Sequence, residues 1–264
     1  MAGIDWTQLL VDHEVVDLSV MVGNDYPCYW PTIMGYHTST WHSHDGWRGS
    51  YFTRYMIMEE HVGTHVDAPA HFIPKADSGL PHAGPQGSVT AEQIPLTQTM
   101  GPAVVVDCRP LRGQAANGES PLITVEYLQD WEAEHGSLAA GDIVLLYTGW
   151  SDDTYHRMPE GKAFGIEVVI DKAVPGWPAP DVPAMEYLAE RGVRTLGVDT
   201  GSTGSLQDDP GPHWAGLGAG MVFVERLTNL GLLPARGAGF IFLGLKLEGG
   251  SGAPGRAIGF VARS

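Results

Sequence analysis

The segment HVGTHVDAPAH, residues 61–71, holds three histidines and one aspartate within eleven positions. Imidazole nitrogens and carboxylate oxygens ligate divalent metals, and about three such ligands with one open position suit a catalytic site rather than a structural one. On a helix His61 and His65 would share a face, but Asp67 would point about 240° away from His61. Gly63 and Pro69 oppose a helix, and Val62, Thr64 and Val66 favour extended backbone. In an extended chain side chains alternate with period two, so His61, His65, Asp67 and His71 can converge on one side. The array reads as a metal site whose chemistry is the activation of water.

Such an array needs a rigid frame. Residues 103–107 (AVVVD) and 142–147 (DIVLLY) are short apolar runs bounded by turn residues and read as central strands. Between them VEYLQDWEAEH reads as a helix, with Thr124 as N-cap and Gly136 as stop. A second helix is expected over residues 183–191, capped by Asp181 and ended by Gly192, leading into a strand over residues 193–198. This is βαβα order. Residues 50–60 and 239–247 are aromatic and β-branched without a helical stripe, so both read as further strands. The Gly- and Pro-rich span 75–87 reads as a long loop, and no composition break divides the 264 residues, so one α/β domain over residues 1–264 is expected.

Charge and cysteine usage narrow the partners. Fifteen Lys and Arg against 31 Asp and Glu leave a net charge of −16, which disfavours phosphate backbones and anionic lipid. Neither a nucleic-acid nor a membrane partner is expected, and no signal-like or membrane-spanning run is seen, so the expectation is a soluble cytoplasmic protein. Cys28 and Cys108 stand eighty positions apart, which excludes a CxxC redox or zinc-ribbon pair. The sequence 250–255 formally fits GxGxxG, but only nine residues follow it, so it reads as a turn. No GxSxG nucleophile elbow occurs.

HVGTHVDAPAHF also resembles the HxGTHxDxPxHF signature of the cyclase superfamily, metal-dependent hydrolases that include kynurenine formamidases, isatin hydrolases and lactamase relatives. Similar pieces follow in order: Thr148-Gly149-Trp150, Gly197-Val198-Asp199-Thr200 with Ser202, His213 and Glu225 twelve residues apart, Asn229-Leu230, and LKLEGGSGAPGRAIGF. The chain departs from the pattern at Gly204, where aspartate is common, and at Gly244, where proline is common. The resemblance implies a swivelling β/β/α domain with a mixed sheet and additional strands, assembled as a homo-oligomer. It implies His61, His65 and Asp67 as ligands of Zn²⁺ or Mn²⁺, His71 as a catalytic or additional ligand histidine, and His213 with Glu225 as a second pair that either ligates another ion or acts beyond the ligands.

The expected reaction is hydrolysis of a small amide by metal-activated water, with His71 moving the proton and Glu225 assisting. The aromatic segment 28–47, with Tyr29, Trp30, Tyr36, Trp41 and Trp47 beside His37, His42 and His44, suits a flat ring, which favours a lactam or isatin-like cyclic amide over N-formylkynurenine. A bland aromatic core edge is the alternative for that segment. Two His and one carboxylate also match the facial triad of non-haem iron oxygenases, and a non-catalytic metal-binding protein is the remaining alternative.

Overall fold

The computed structural model describes residues 5–46 and 49–263. Its strands in chain order are β1 (His13–Asp17), β2 (His37–His42), β3 (Thr53–Ile57), β4 (His65–Asp67), β5 (Met100–Asp107), β6 (Leu122–Ile123), β7 (Ile143–Tyr147), β8 (Ala179–Pro180), β9 (Thr195–Val198), β10 (Val222–Glu225), β11 (Arg236–Gly244) and β12 (Gly252–Ala262). The helices are α1 (Trp6–Asp12), α2 (Val125–His135), α3 (Trp150–Thr154), α4 (Lys162–Gly165), α5 (Val182–Glu190) and α6 (Pro210–Gly218). The fold is α/β, with a mixed sheet and additional strands as expected.

Eight strands form one sheet in the order β1-β12-β11-β5-β7-β9-β10-β4, and a further pairing of β12 with β4 closes it into a barrel. Strands β5, β7, β9 and β10 run parallel, joined by right-sized helical crossovers, whereas β11, β12 and β4 pair antiparallel. The long β12 makes the closure possible: Gly252–Pro254 meet β4, and residues 258–262 meet β1.

Strand alternation divides the apolar side chains into two cores. Ala103, Val105, Ile143, Leu145, Val222 and Val224 fill the barrel with Val66, Phe240, Phe242 and Ala253. Their neighbours Val104, Val106, Val144, Leu146 and Phe223 point outward, onto Leu128 and Trp131 of α2, Met185 and Leu188 of α5, and Leu217 of α6. The runs AVVVD and DIVLLY are continuous because both faces are covered. Gly197 of β9 faces the barrel, where a Cβ would meet Leu145 and Leu227 at 2.5 and 2.7 Å.

The local signals act as the sequence suggests. Thr124 accepts from the Tyr127 amide, Gly136 stops α2 at φ +88°, and Asp181 caps α5 through the Ala184 amide at 2.8 Å. Three expected elements differ. Only Thr53–Ile57 of residues 50–60 is a strand, and it pairs with β2 outside the barrel, with Tyr55, Met56 and Ile57 exposed. The strand expected over 239–247 begins at Arg236 and ends at Gly244, because its register follows β5 and β12 rather than its aromatic run. The turn expected over 250–255 covers only its start, since Gly252 already lies in β12.

The interior position of Leu145, with no exposed surface, sets an expectation for stability. Leu145→Ala should lower unfolding free energy by about 2–5 kcal/mol, whereas Leu243→Ala, 51% exposed on β11, should change it by about 0.5 kcal/mol or less. Urea denaturation of both variants checks this; equal losses would place Leu145 outside the core.

Candidate active site

Val66 points into the barrel, so its neighbours His65 and Asp67 on β4 point out of it. The antiparallel register then chooses their company. His65 stands opposite Glu225 on β10, and Asp67 stands opposite Phe223 on one side and Gly252 on the other. Directly paired residues share a face, which brings Glu225 Oε2 to 3.7 Å from His65 Nε2 across 160 positions of sequence. On the β12 side there is no side chain, and the His61 imidazole fills the space: a Cβ on Gly252 would meet His61 Nε2 at 2.5 Å.

His61 and His71 do not reach the site by extended alternation, as the sequence pattern suggested. Gly63 turns the chain at φ +63°, with its amide donating to Cys28 O at 2.7 Å, and this bend returns His61 to Asp67. After β4 a 3₁₀ turn, Pro69–His71, folds His71 back so that its ring stacks on His61 at 4.0 Å. Period two therefore holds only for His65 and Asp67. His213 comes from α6, buried, its ring stacked on Phe72 at 4.1 Å. All six expected site residues line one cavity of about 210 Å³, together with Trp30, Ile33, Phe72, Ser202 and Arg226.

The nitrogens are oriented. Nδ1 of His61 donates to Glu59 at 2.6 Å, that of His65 to Gly63 O at 2.8 Å, and that of His213 to Asp209 O at 2.7 Å. Each Nε2 lone pair is thereby turned to the centre. There His65 Nε2 and His61 Nε2 lie 3.2 and 3.6 Å from Asp67 Oδ1. Two donors about 2.1 Å from one tetrahedral ion are spaced by about 3.4 Å. His61 Nε2 and Asp67 Oδ1 are moreover buried with no hydrogen-bond partner, which is costly unless something cationic satisfies them. The residues fit a divalent ion. The tightest groupings are His61, Asp67 and His71, and His65, Asp67 and Glu225, with Asp67 in both.

Electrostatics favour positive charge at this centre. Burial opposes ionisation of Asp67, yet His65, His71 and His61 hold its carboxyl far below the usual range. Burial likewise opposes protonation of His213, but Glu225, Asp209 and Asp67 push it up to about 9. His71 behaves differently: burial of most of its ring pushes it down to about 4, while one edge stays open to the cavity, so it is neutral at pH 7.

Several participants carried no sequence signal of their own. Glu59 orients His61, and Glu60 accepts from the Ser251 and Gly252 amides at 2.7 and 3.3 Å, fixing the start of β12. The pair Glu59-Glu60 directly before His61 was the available clue. Of the described aromatic residues in segment 28–47 only Trp30 lines the cavity; Tyr36 is buried beside Cys28 and Val62, and Trp41 is half exposed on β2. Trp47 lies outside the described residues. His42 is buried against Gly49 O, and His37 and His44 are exposed. At Gly204 a Cβ would meet the Asp209 backbone O at 2.4 Å and its Oδ1 at 2.5 Å, so the departure from the motif pattern leaves room for Asp209, whose carboxylate accepts from Ser202 Oγ. The GVDT aspartate, Asp199, is not at the centre; it joins the ends of β7 and β9 by accepting from the Thr148 and Gly149 amides.

The cyclase family model matches residues 16–205, which span β1 to the loop after β9 and include the whole ligand motif. The chain belongs to the cyclase family. Among cyclase-family relatives it is 31% identical to an isatin hydrolase of Roseibium aggregatum over 82% of this chain and 78% of that protein. It is 30% identical to a kynurenine formamidase of Salinibacter ruber, covering 76% of each. Its structure superposes on isatin hydrolase A from Labrenzia aggregata bound to benzyl benzoate with a TM-score of 0.80, at 28% identity, covering 97% of this chain and 99% of the other.

Gly252→Ala should push the His61 ring out of line and weaken divalent-metal affinity at least about tenfold, the usual cost of a displaced supporting group, with the circular dichroism unchanged. Metal titration by calorimetry checks it; unaltered affinity would mean that His61 does not set the affinity.

Proposed function

We propose that the chain is a divalent-metal-dependent hydrolase that opens a small cyclic amide, a lactam or isatin-like ring. His61, His65 and Asp67 hold the ion, Zn²⁺ or Mn²⁺. The observation that carries this reading is the convergence of buried, unpartnered His61 Nε2 and Asp67 Oδ1 with His65 Nε2 at the floor of a cavity. Similarity to an isatin hydrolase over most of both chains supports the cyclic amide.

When bound, a divalent ion supplies water of lowered pKa and polarises the amide carbonyl. The protein does the rest. Trp30 and Phe72 present flat apolar surface to a ring at the cavity wall. His71, neutral and facing the cavity, takes the proton of the attacking water and returns it to the leaving nitrogen. Attack at the carbonyl carbon and cleavage of the C–N bond leave a carboxylate and an amine on one product molecule. Glu225, fixed by the Thr203 amide at 2.5 Å, keeps His65 and His213 in place. A homo-oligomer is part of this reading, supported by the exposed apolar residues of β3, as is a single functional unit over all 264 residues, since β1 and β12 pair across the two ends of the chain.

The kynurenine formamidase relative motivates a second reading, open-chain N-formyl arylamine hydrolysis. With one metal-replete preparation, kcat/KM for isatin or a bicyclic lactam should exceed that for N-formylkynurenine; a preference of about a hundredfold for the formyl substrate, about 2.7 kcal/mol, would overturn ring opening. Anaerobic assays should leave the rate unchanged, which separates hydrolysis from oxygen chemistry. Separately, His61→Ala, His65→Ala and Asp67→Ala should each lose bound metal and nearly all activity, because an open three-ligand site cannot spare a donor. Elemental analysis checks this, and full occupancy in all three would sink the ligand assignment.

A further inference from the structure

Arg226 follows Glu225 directly and lines the same cavity, yet nothing in the chemistry above uses it. Its setting is unusual in three respects. Its backbone is left-handed, φ +56°, a conformation that costs a residue with a Cβ about 1 kcal/mol and that glycine or asparagine would adopt more cheaply. The backbone is locked there, with the amide donating to Thr200 O and the carbonyl accepting from Thr64 Oγ1 at 2.6 Å. Its side chain is 2% exposed, one of the largest fully buried side chains described.

A buried guanidinium normally has a carboxylate partner, since unpaired burial of a charge costs several kcal/mol. Arg226 has none among the described residues. Nη1 donates to two carbonyls, Cys28 O at 3.0 Å and His61 O at 2.6 Å, and Nε has no partner. The cavity's carboxylates face other groups: Glu59 takes the His61 amide and Nδ1, Asp209 takes Ser202 Oγ, Glu225 takes the Thr203 amide, and Asp67 faces His65 and His61 at 3.2 and 3.6 Å. What remains on the guanidinium is its Nε–Nη2 edge. Two parallel N–H groups on that edge match the two oxygens of a carboxylate.

Resting on the hydrolase reading, we propose that Arg226 is a specificity residue and that, among cyclic amides, the preferred substrate carries a carboxylate on its ring in addition to its scissile amide. The Nε–Nη2 edge receives that carboxylate in the cavity. Among the described residues it is the one arginine or lysine in the cavity lining, and it offsets the repulsion an anion meets from a chain of net charge −16 and from Glu59, Asp67, Asp209 and Glu225.

The test compares two probes with the same ring and amine, 2-aminobenzoate and neutral 2-aminobenzamide. Their dissociation constants are measured by calorimetry on metal-replete wild type, Arg226→Gln and Arg226→Lys, with metal content determined for each. In Arg226→Gln, affinity for 2-aminobenzoate should fall at least about tenfold relative to 2-aminobenzamide, and Arg226→Lys, charged but without the fork, should fall between. A purely structural role, tying Cys28 and His61 together, would weaken both probes alike and leave their ratio unchanged. An unchanged ratio overturns the proposal, as it also would if the metal alone bound the carboxylate. Should Arg226→Gln not fold, the ratio in Arg226→Lys decides in the same way. Since binding needs no turnover, a wild type that hydrolyses no amide would refute the hydrolase reading while this ratio still judged Arg226.

Discussion

The antiparallel pairing of β4 between β10 and β12 is the constraint on which the site rests. Three residues, His65–Asp67, close the barrel with Val66 inside and turn His65 and Asp67 outward. One register step would reverse every face, putting two polar groups among Val224, Phe242 and Ala253. Burial of a single apolar side chain thus fixes the direction of both polar groups. The neighbours contribute what that direction requires: a carboxylate from β10 opposite His65, and an absence from β12 opposite Asp67.

The central frame was legible in the sequence because it depends on local signals. Continuous apolar runs, the Thr124 and Asp181 caps and the Gly136 stop each act within a few residues, and the strands and helices stand near where they suggest. The His and Asp pattern of residues 61–71 was equally visible, although the geometry that gathers it was not. His61 and His71 arrive by a left-handed glycine and a 3₁₀ turn, which period-two counting does not contain. Closure of the sheet through β12 was illegible too, being a pairing of residues 65–67 with 252–254. Without that register Gly252 looks like an ordinary loop glycine, and Glu59 and Glu60 look like solvated surface. The aromatic segment misled in part, since composition does not distinguish Trp30, on the cavity, from Trp41, half exposed on β2.

Charge is distributed with a purpose that net charge conceals. The acidic surplus lies over the whole chain, but at the centre carboxylates and imidazoles are interleaved so that Nδ1 of His61, His65 and His213 each has an oxygen acceptor. The carboxylates that raise His213 also make the centre attractive to any cation. The donor atoms of His61, Asp67 and His71 lie close together, as do those of His65, Asp67 and Glu225, and all of these residues but Glu225 fall within the span the family model matches.

Because β4 is both a barrel stave and the carrier of two donor groups, occupancy and folding share one free energy. Any species held by His65 and Asp67 ties down the seam between β10 and β12, and stabilises the closed barrel by an amount that grows with the logarithm of its concentration over its dissociation constant. The same linkage runs in reverse: a packing change at Val66, remote from the cavity and invisible to substrate, alters the affinity of the centre by moving the strand on which it is built. Where such a species binds, the robustness of the fold therefore follows its supply.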